Sequence, residues 1–61
     1  MRITAPIGLA HAAVAVVTGH GFTNLKVTTD DTTAQIEVPS VFAAEVPSLV
    51  AALVDAGATV E

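Results

Sequence analysis

Cysteine, tryptophan and tyrosine are absent, phenylalanine occurs twice, and Arg2 and Lys26 are the only lysine or arginine residues. Each shortage narrows the field. Without cysteine there is no disulfide framework, no thiolate metal site and no thiol nucleophile. A small cysteine-free chain fits a reducing cytoplasm better than a secreted scaffold, so a cytoplasmic location is expected. Two cations stand against six acids, for a net charge of −4. Nucleic-acid binders neutralise phosphates with a basic patch, so a nucleic-acid partner is not expected. An anionic membrane surface is disfavoured for the same reason. The longest apolar stretch, Ala5 to Val17, contains Pro6 and His11. It falls short of the roughly 20 residues that cross a bilayer, so no membrane span is expected.

Small apolar side chains are plentiful instead. Hydrophobic residues make up 52% of the 61-residue chain, most of them Ala and Val. One domain, residues 1–61, is the most this length allows. So short a chain buries only about 60% of the surface its unfolded form exposes. Disulfides, metals or association usually supplement such a core. With the first excluded and no metal ligands in evident spacing, association remains, and a homodimer or a protein partner is expected. Met1 at the head of the sequence suggests a complete short chain.

Hydrophobic periodicity gives the order of elements. Arg2-Ile3-Thr4-Ala5 alternates polar and apolar, as a strand with Ile3 and Ala5 facing inward does. Pro6 suits the first turn of a helix, where its missing N–H costs nothing. The spacing predicts that helix over Ile7 to Thr18, with Ile7, Ala10, Val14 and Val17 toward the sheet. Gly19-His20-Gly21 stops it with a glycine able to take the left-handed conformation, and Phe22 folds back onto the helix end. Leu25 to Thr28 and Ala34 to Val38 alternate again around the polar turn Thr29-Asp30-Asp31-Thr32, which reads as a β-hairpin. Leu25, Val27, Ala34, Ile36 and Val38 share its inner face. Pro39-Ser40 ends the hairpin. Ser40 to Glu45 is either an early helical turn or a loop. From Val46 a second helix is expected, with Val46, Leu49, Val50, Leu53 and Val54 on one apolar face. Gly57 supplies its C′ position, and Ala58 to Glu61 alternates as a last short strand.

The expected fold is therefore α+β with the order β-α-β-β-α-β. Right-handed crossovers in both halves give a four-stranded antiparallel sheet with two helices on one face. The first and third strands are central. The open face then presents Arg2, Thr4, Lys26, Thr28, Thr33, Gln35, Glu37, Thr59 and Glu61. It is either a solvated face, as antiparallel sheets tolerate, or a surface for a second subunit. It carries no aromatic platform on which bases would stack.

No constellation of catalytic residues emerges, and we expect no enzyme activity. His11, read as an edge-of-core residue, and His20, read as a cap or a solvent-facing residue, lie nine positions apart, which is not a metal-ligand spacing. Neither a metal nor a cofactor is expected. Asp30 and Asp31 at a hairpin tip read as turn formers. Ser40 and Ser48 lack the base that would activate a nucleophile. Asp55 sits in a last helical turn, where the helix dipole disfavours it.

Helix one is the element that needs explaining. Between Ile7 and Val17 its only polar side chain is His11. A helix apolar all round is usually buried all round, yet one small sheet covers one side only. Either alanine is there as a strong helix former, or the outer side meets a partner. The candidate interface on that side is Gly8, Leu9, Ala12, Ala13, Ala15 and Val16.

The β-α-β-β-α-β pattern resembles the ferredoxin-like superfold, which hosts many functions. Its heavy-metal-associated branch places paired cysteines after strand one. Ala5-Pro6-Ile7-Gly8 stands there instead, which excludes that chemistry. Amino-acid-sensing ACT domains share the topology and hold a glycine in their ligand loop. Gly8 matches it and implies, as an alternative function, a small-ligand site between subunits. Val46 to Val60 resembles the end of the small accessory domain that follows the ATPase of some actinobacterial drug-exporter ABC proteins, although that family's acidic closing motif is missing. This resemblance implies a regulatory or dimerising module without chemistry of its own. The Ala, Val and Thr content resembles that of high-GC bacterial or phage proteins. The expected function is a non-enzymatic interaction or regulatory module that self-associates or docks on a larger protein.

Overall fold

Alternating strands and two glycine-stopped helices assemble as the sequence suggests. A computed structural model describes residues 1–61. The strands are β1 (Arg2–Pro6), β2 (Lys26–Thr29), β3 (Thr33–Glu37) and β4 (Thr59–Val60), and the helices are α1 (Ala10–Gly19) and α2 (Pro47–Asp55). Short 3₁₀ turns at Ile7–Leu9 and Ala43–Glu45 precede the two helices. The sheet order is β2-β3-β1-β4, and every pairing is antiparallel. The fold is α+β and ferredoxin-like, with β1 and β3 central and β2 and β4 at the edges.

The register places the core on one face. Ile3 lies opposite Ile36 and Ala5 opposite Ala34. All four are buried, while Arg2, Gln35 and the other alternate positions are not. Ala13 and Val17 of α1 and Leu49 and Leu53 of α2 complete the layer, with Val38 and Ala58 at its margins. Each fully buried branched side chain contributes about 1.5–3 kcal/mol. No polar or charged residue is buried and no buried side-chain polar atom lacks a partner, so desolvation subtracts nothing from this thin core.

Both helices end in the same device. After α1, Gly21 takes φ 93° and donates to Thr18 O at 3.0 Å, while Phe22 N–H reaches Val17 O at 3.3 Å. After α2, Gly57 takes φ 91° and donates to Val54 O at 3.0 Å, while Ala58 N–H reaches Leu53 O at 2.9 Å. These are paired 6→1 and 5→2 bonds closed by an apolar residue. Phe22 packs against the core and Ala58 lies within it, so each cap also aims the chain back at the sheet. His20 strengthens the first cap: its Nδ1–H donates to Val16 O at 2.9 Å.

The hairpin between β2 and β3 turns on Asp30. Its Oδ1 accepts from the backbone N–H of Thr32 at 2.8 Å and of Thr33 at 2.7 Å, and its Oδ2 accepts from the Thr33 hydroxyl at 3.0 Å. These bonds favour the ionised carboxylate and hold its pKa below the ordinary 3.8, the Thr32 N–H contributing most.

Several details depart from the sequence expectation. Pro6 stays in β1, opposite Thr33, rather than opening the helix. The chain then passes through a 3₁₀ turn, which advances about 120° per residue instead of 100°. That turn shifts the phase of α1. Ile7, expected toward the sheet, is 41% exposed, and Ala13, expected outside, is buried with Val17. His11, expected at the edge of the core, is exposed. Val27 lies opposite Ile36 on the helix side of the sheet, as expected, but is 46% exposed. Two helices do not reach across four strands, and β2 lies outside their cover. Val54 is exposed as well, because α2 turns a narrower stripe inward than its five apolar positions suggested.

Candidate partner interface

The outer side of the helical layer is built from what the core leaves over. With Ala13 and Val17 directed inward, α1 exposes His11, Ala12, Ala15, Thr18 and Gly19. The preceding turn adds Ile7, Gly8 and Leu9. From α2 come Pro47, Ser48, Ala51, Val54 and Asp55. Neither helix carries a lysine or arginine, and Asp55 is the only acid in either. Both cations lie instead in the sheet, in β1 and β2.

Of the six residues singled out in the sequence, Gly8, Leu9, Ala12 and Ala15 are exposed, Val16 is half-buried, and Ala13 belongs to the core. Ala13 is therefore removed from the candidate interface. Leu9 has a second role. A Cβ built at Gly57 would meet Leu9 Cδ1 at 2.7 Å, so Leu9 lies over the cap of α2 and ties the two helix layers together at that end. Gly8 has open space around it.

Sequence reasoning missed the contribution of α2. Val54 and Ala51 extend the apolar surface beyond α1. Their sequence signal is the charge-poor run Pro47 to Val54, in which the apolar spacing places Val54 on the core face.

The remaining candidates stay apart. No group of three or more His, Asp or Glu side chains is placed to hold a metal ion. The one depression, of about 340 Å³, lies between Arg2, Glu37, Glu61 and the Pro39–Ser40 turn. It is at the opposite end of β1 from Gly8. No helix is long and apolar enough to cross a membrane. No protein-family model, curated protein or solved structure matches the chain.

Proposed function

We propose that this chain is a non-enzymatic interaction module, acting in a reducing cytoplasm, whose outer helical layer docks on a weakly charged apolar surface of a larger protein. The observation that supports this is the pairing of Leu9, 39% exposed, and Val54, 57% exposed, with a helical layer that has no cation and a single acid. Exposed alanine alone is explained by helix propensity. An exposed β-branched Val54 is not, because valine is a weaker helix former than alanine and its burial against the core is not achieved. A partner that covers this layer removes Leu9, Val54, Ala12 and Ala15 from water together. It meets almost no charge that would need desolvation.

Ala12 and Ala15 test the layer without touching the core. Both are exposed, so Ala12→Glu with Ala15→Glu leaves the circular dichroism and thermal melt close to those of the parent. The same substitutions place two carboxylates in the proposed contact. Proteins captured by the parent from cells that make it are then lost from the double variant. Unchanged capture by a folded double variant refutes the assignment of this layer.

A further inference from the structure

The open face of the sheet carries a row of charge that is complementary to itself. Lys26 lies opposite Glu37, and Glu37 lies opposite Arg2. Arg2 exchanges both backbone hydrogen bonds with Glu61, so those two are opposite as well. Directly opposed residues in an antiparallel sheet point to the same face. Across β2, β3, β1 and the residue that follows β4 the row therefore reads plus, minus, plus, minus. The next row, Thr28, Gln35, Thr4 and Thr59, is uncharged and can donate and accept hydrogen bonds throughout.

We propose that this face pairs with the same face of a second copy of the chain, about a two-fold axis that runs along the strands between β3 and β1. That operation reverses the strand order and keeps each row at its own height. Lys26 then faces Glu61 of the partner subunit, and Glu37 faces Arg2 of the partner subunit. All four positions of the row meet an opposite charge. Thr28 faces Thr59 of the partner subunit, and Gln35 faces Thr4 of the partner subunit, so the second row meets itself without a mismatch. A two-fold axis across the strands does not do this, because it keeps the strand order and sets like on like.

The charges left over inside the chain support the same arrangement. Arg2 and Glu37 form the only ion pair, at 3.4 Å. Lys26 and Glu61, the two ends of the row, have no ionic partner, and the axis brings these two together. Each dimer contains that pair twice. The sheet spans four strands about 4.8 Å apart and five residues at about 3.3 Å, a footprint on the order of 300 Å² a side. Stable dimers bury about 800 Å² a side. The pairing is thus weak and salt-sensitive, and it leaves both helical layers facing outward. It is independent of the partner proposed for those layers.

Sedimentation equilibrium on the 61-residue chain, up to about 1 mM protein and at about 20 mM and 0.5 M salt, reads the association directly. The parent dimerises at low salt and dissociates at high salt. Lys26→Glu and Glu61→Lys each raise the dimer Kd roughly tenfold or more, since each reverses two contacts per dimer. The two together restore it. This restoration is specific to contact between copies. Within one chain, Lys26→Glu faces Glu37 and Glu61→Lys faces Arg2, so intrachain repulsion adds in the double variant and is not relieved. A parent that stays monomeric at 1 mM, single variants that dimerise like the parent, or a double variant as dissociated as the singles overturns the proposal. Loss of the dimer in the Ala12→Glu, Ala15→Glu variant alone also overturns it, and leaves the helical layer as the self-interface.

Discussion

Gly21 and Gly57 form a matched pair that separates backbone strain from side-chain crowding. Both occupy the C′ position of a helix, at φ 93° and 91°. A Cβ at Gly21 meets nothing within 4 Å, whereas one at Gly57 meets Leu9 Cδ1 at 2.7 Å. Gly21→Ala therefore measures the cost of an alanine at positive φ, about 1–2 kcal/mol. Gly57→Ala carries the same cost and must also displace Leu9. That side chain is 39% exposed and can turn outward, at about 0.5–1.5 kcal/mol for leaving its preferred rotamer. The total for Gly57→Ala is about 1.5–3.5 kcal/mol. A domain of this size has about 3–9 kcal/mol in all, so the loss is large, and each kcal/mol lowers Tm by about 4–8 °C. Urea unfolding followed by circular dichroism gives the three quantities needed: the two single glycine variants and Gly57→Ala in a Leu9→Ala background. The excess cost at Gly57 disappears in that background, as a double-mutant cycle reports. Equal costs at Gly21 and Gly57, or an excess that persists without Leu9, refutes the placement of Leu9 over the cap.

Two further outcomes follow from local geometry. The folded state lowers the pKa of Asp30, so its contribution to stability is present above the unfolded carboxylate value. It is lost as pH falls through the lower folded value. An NMR titration places the Asp30 inflection below 3.8, and the stability difference between the parent and Asp30→Asn shrinks as pH drops through that region; a difference that grows in acid contradicts the hydrogen-bonding scheme. Ser40 holds φ 64°, a left-handed conformation that suits glycine. Ser40→Gly raises the urea midpoint, by up to about 1 kcal/mol in stability after the added flexibility of the unfolded chain is counted, and a lowered midpoint refutes strain at this turn.

The parts of the fold that depend on local chemistry were legible in the sequence. Alternation at Ile3 and Ala5 and at Ala34, Ile36 and Val38 identified the buried face of β1 and β3. Gly19-His20-Gly21 and Gly57 marked both helix ends, because a positive φ excludes most other residues, and the structure puts that φ at Gly21 and Gly57. The turn at Asp30 followed from the side-chain hydrogen bonds that Asp makes to the backbone. What escaped was phase and cover. Pro6 satisfies a strand end as readily as a first helical turn, and only pairing with Thr33 decides between them. The resulting 3₁₀ turn rotates α1 and takes Ala13 from the outside to the core. Exposure of Val27 depends on how far two short helices reach across the sheet, which no local pattern encodes. The candidate interface was legible as a lack of charge in the first helix, but the share contributed by Val54 and Ala51 needed the second helix in place. The charge row needed the strand register. Alternation assigns Lys26, Glu37, Arg2 and Glu61 to one face, and only pairing sets them in a line.

The docking of the helical layer is tested most directly by a photo-crosslinking residue at Ala15, in the cells that make the protein. One adduct with a larger protein is expected, and it disappears when Ala12→Glu is added to the same chain. A crosslinker at Ala15 that gives no adduct, or an adduct that survives Ala12→Glu, contradicts the assignment of this surface as the point of contact.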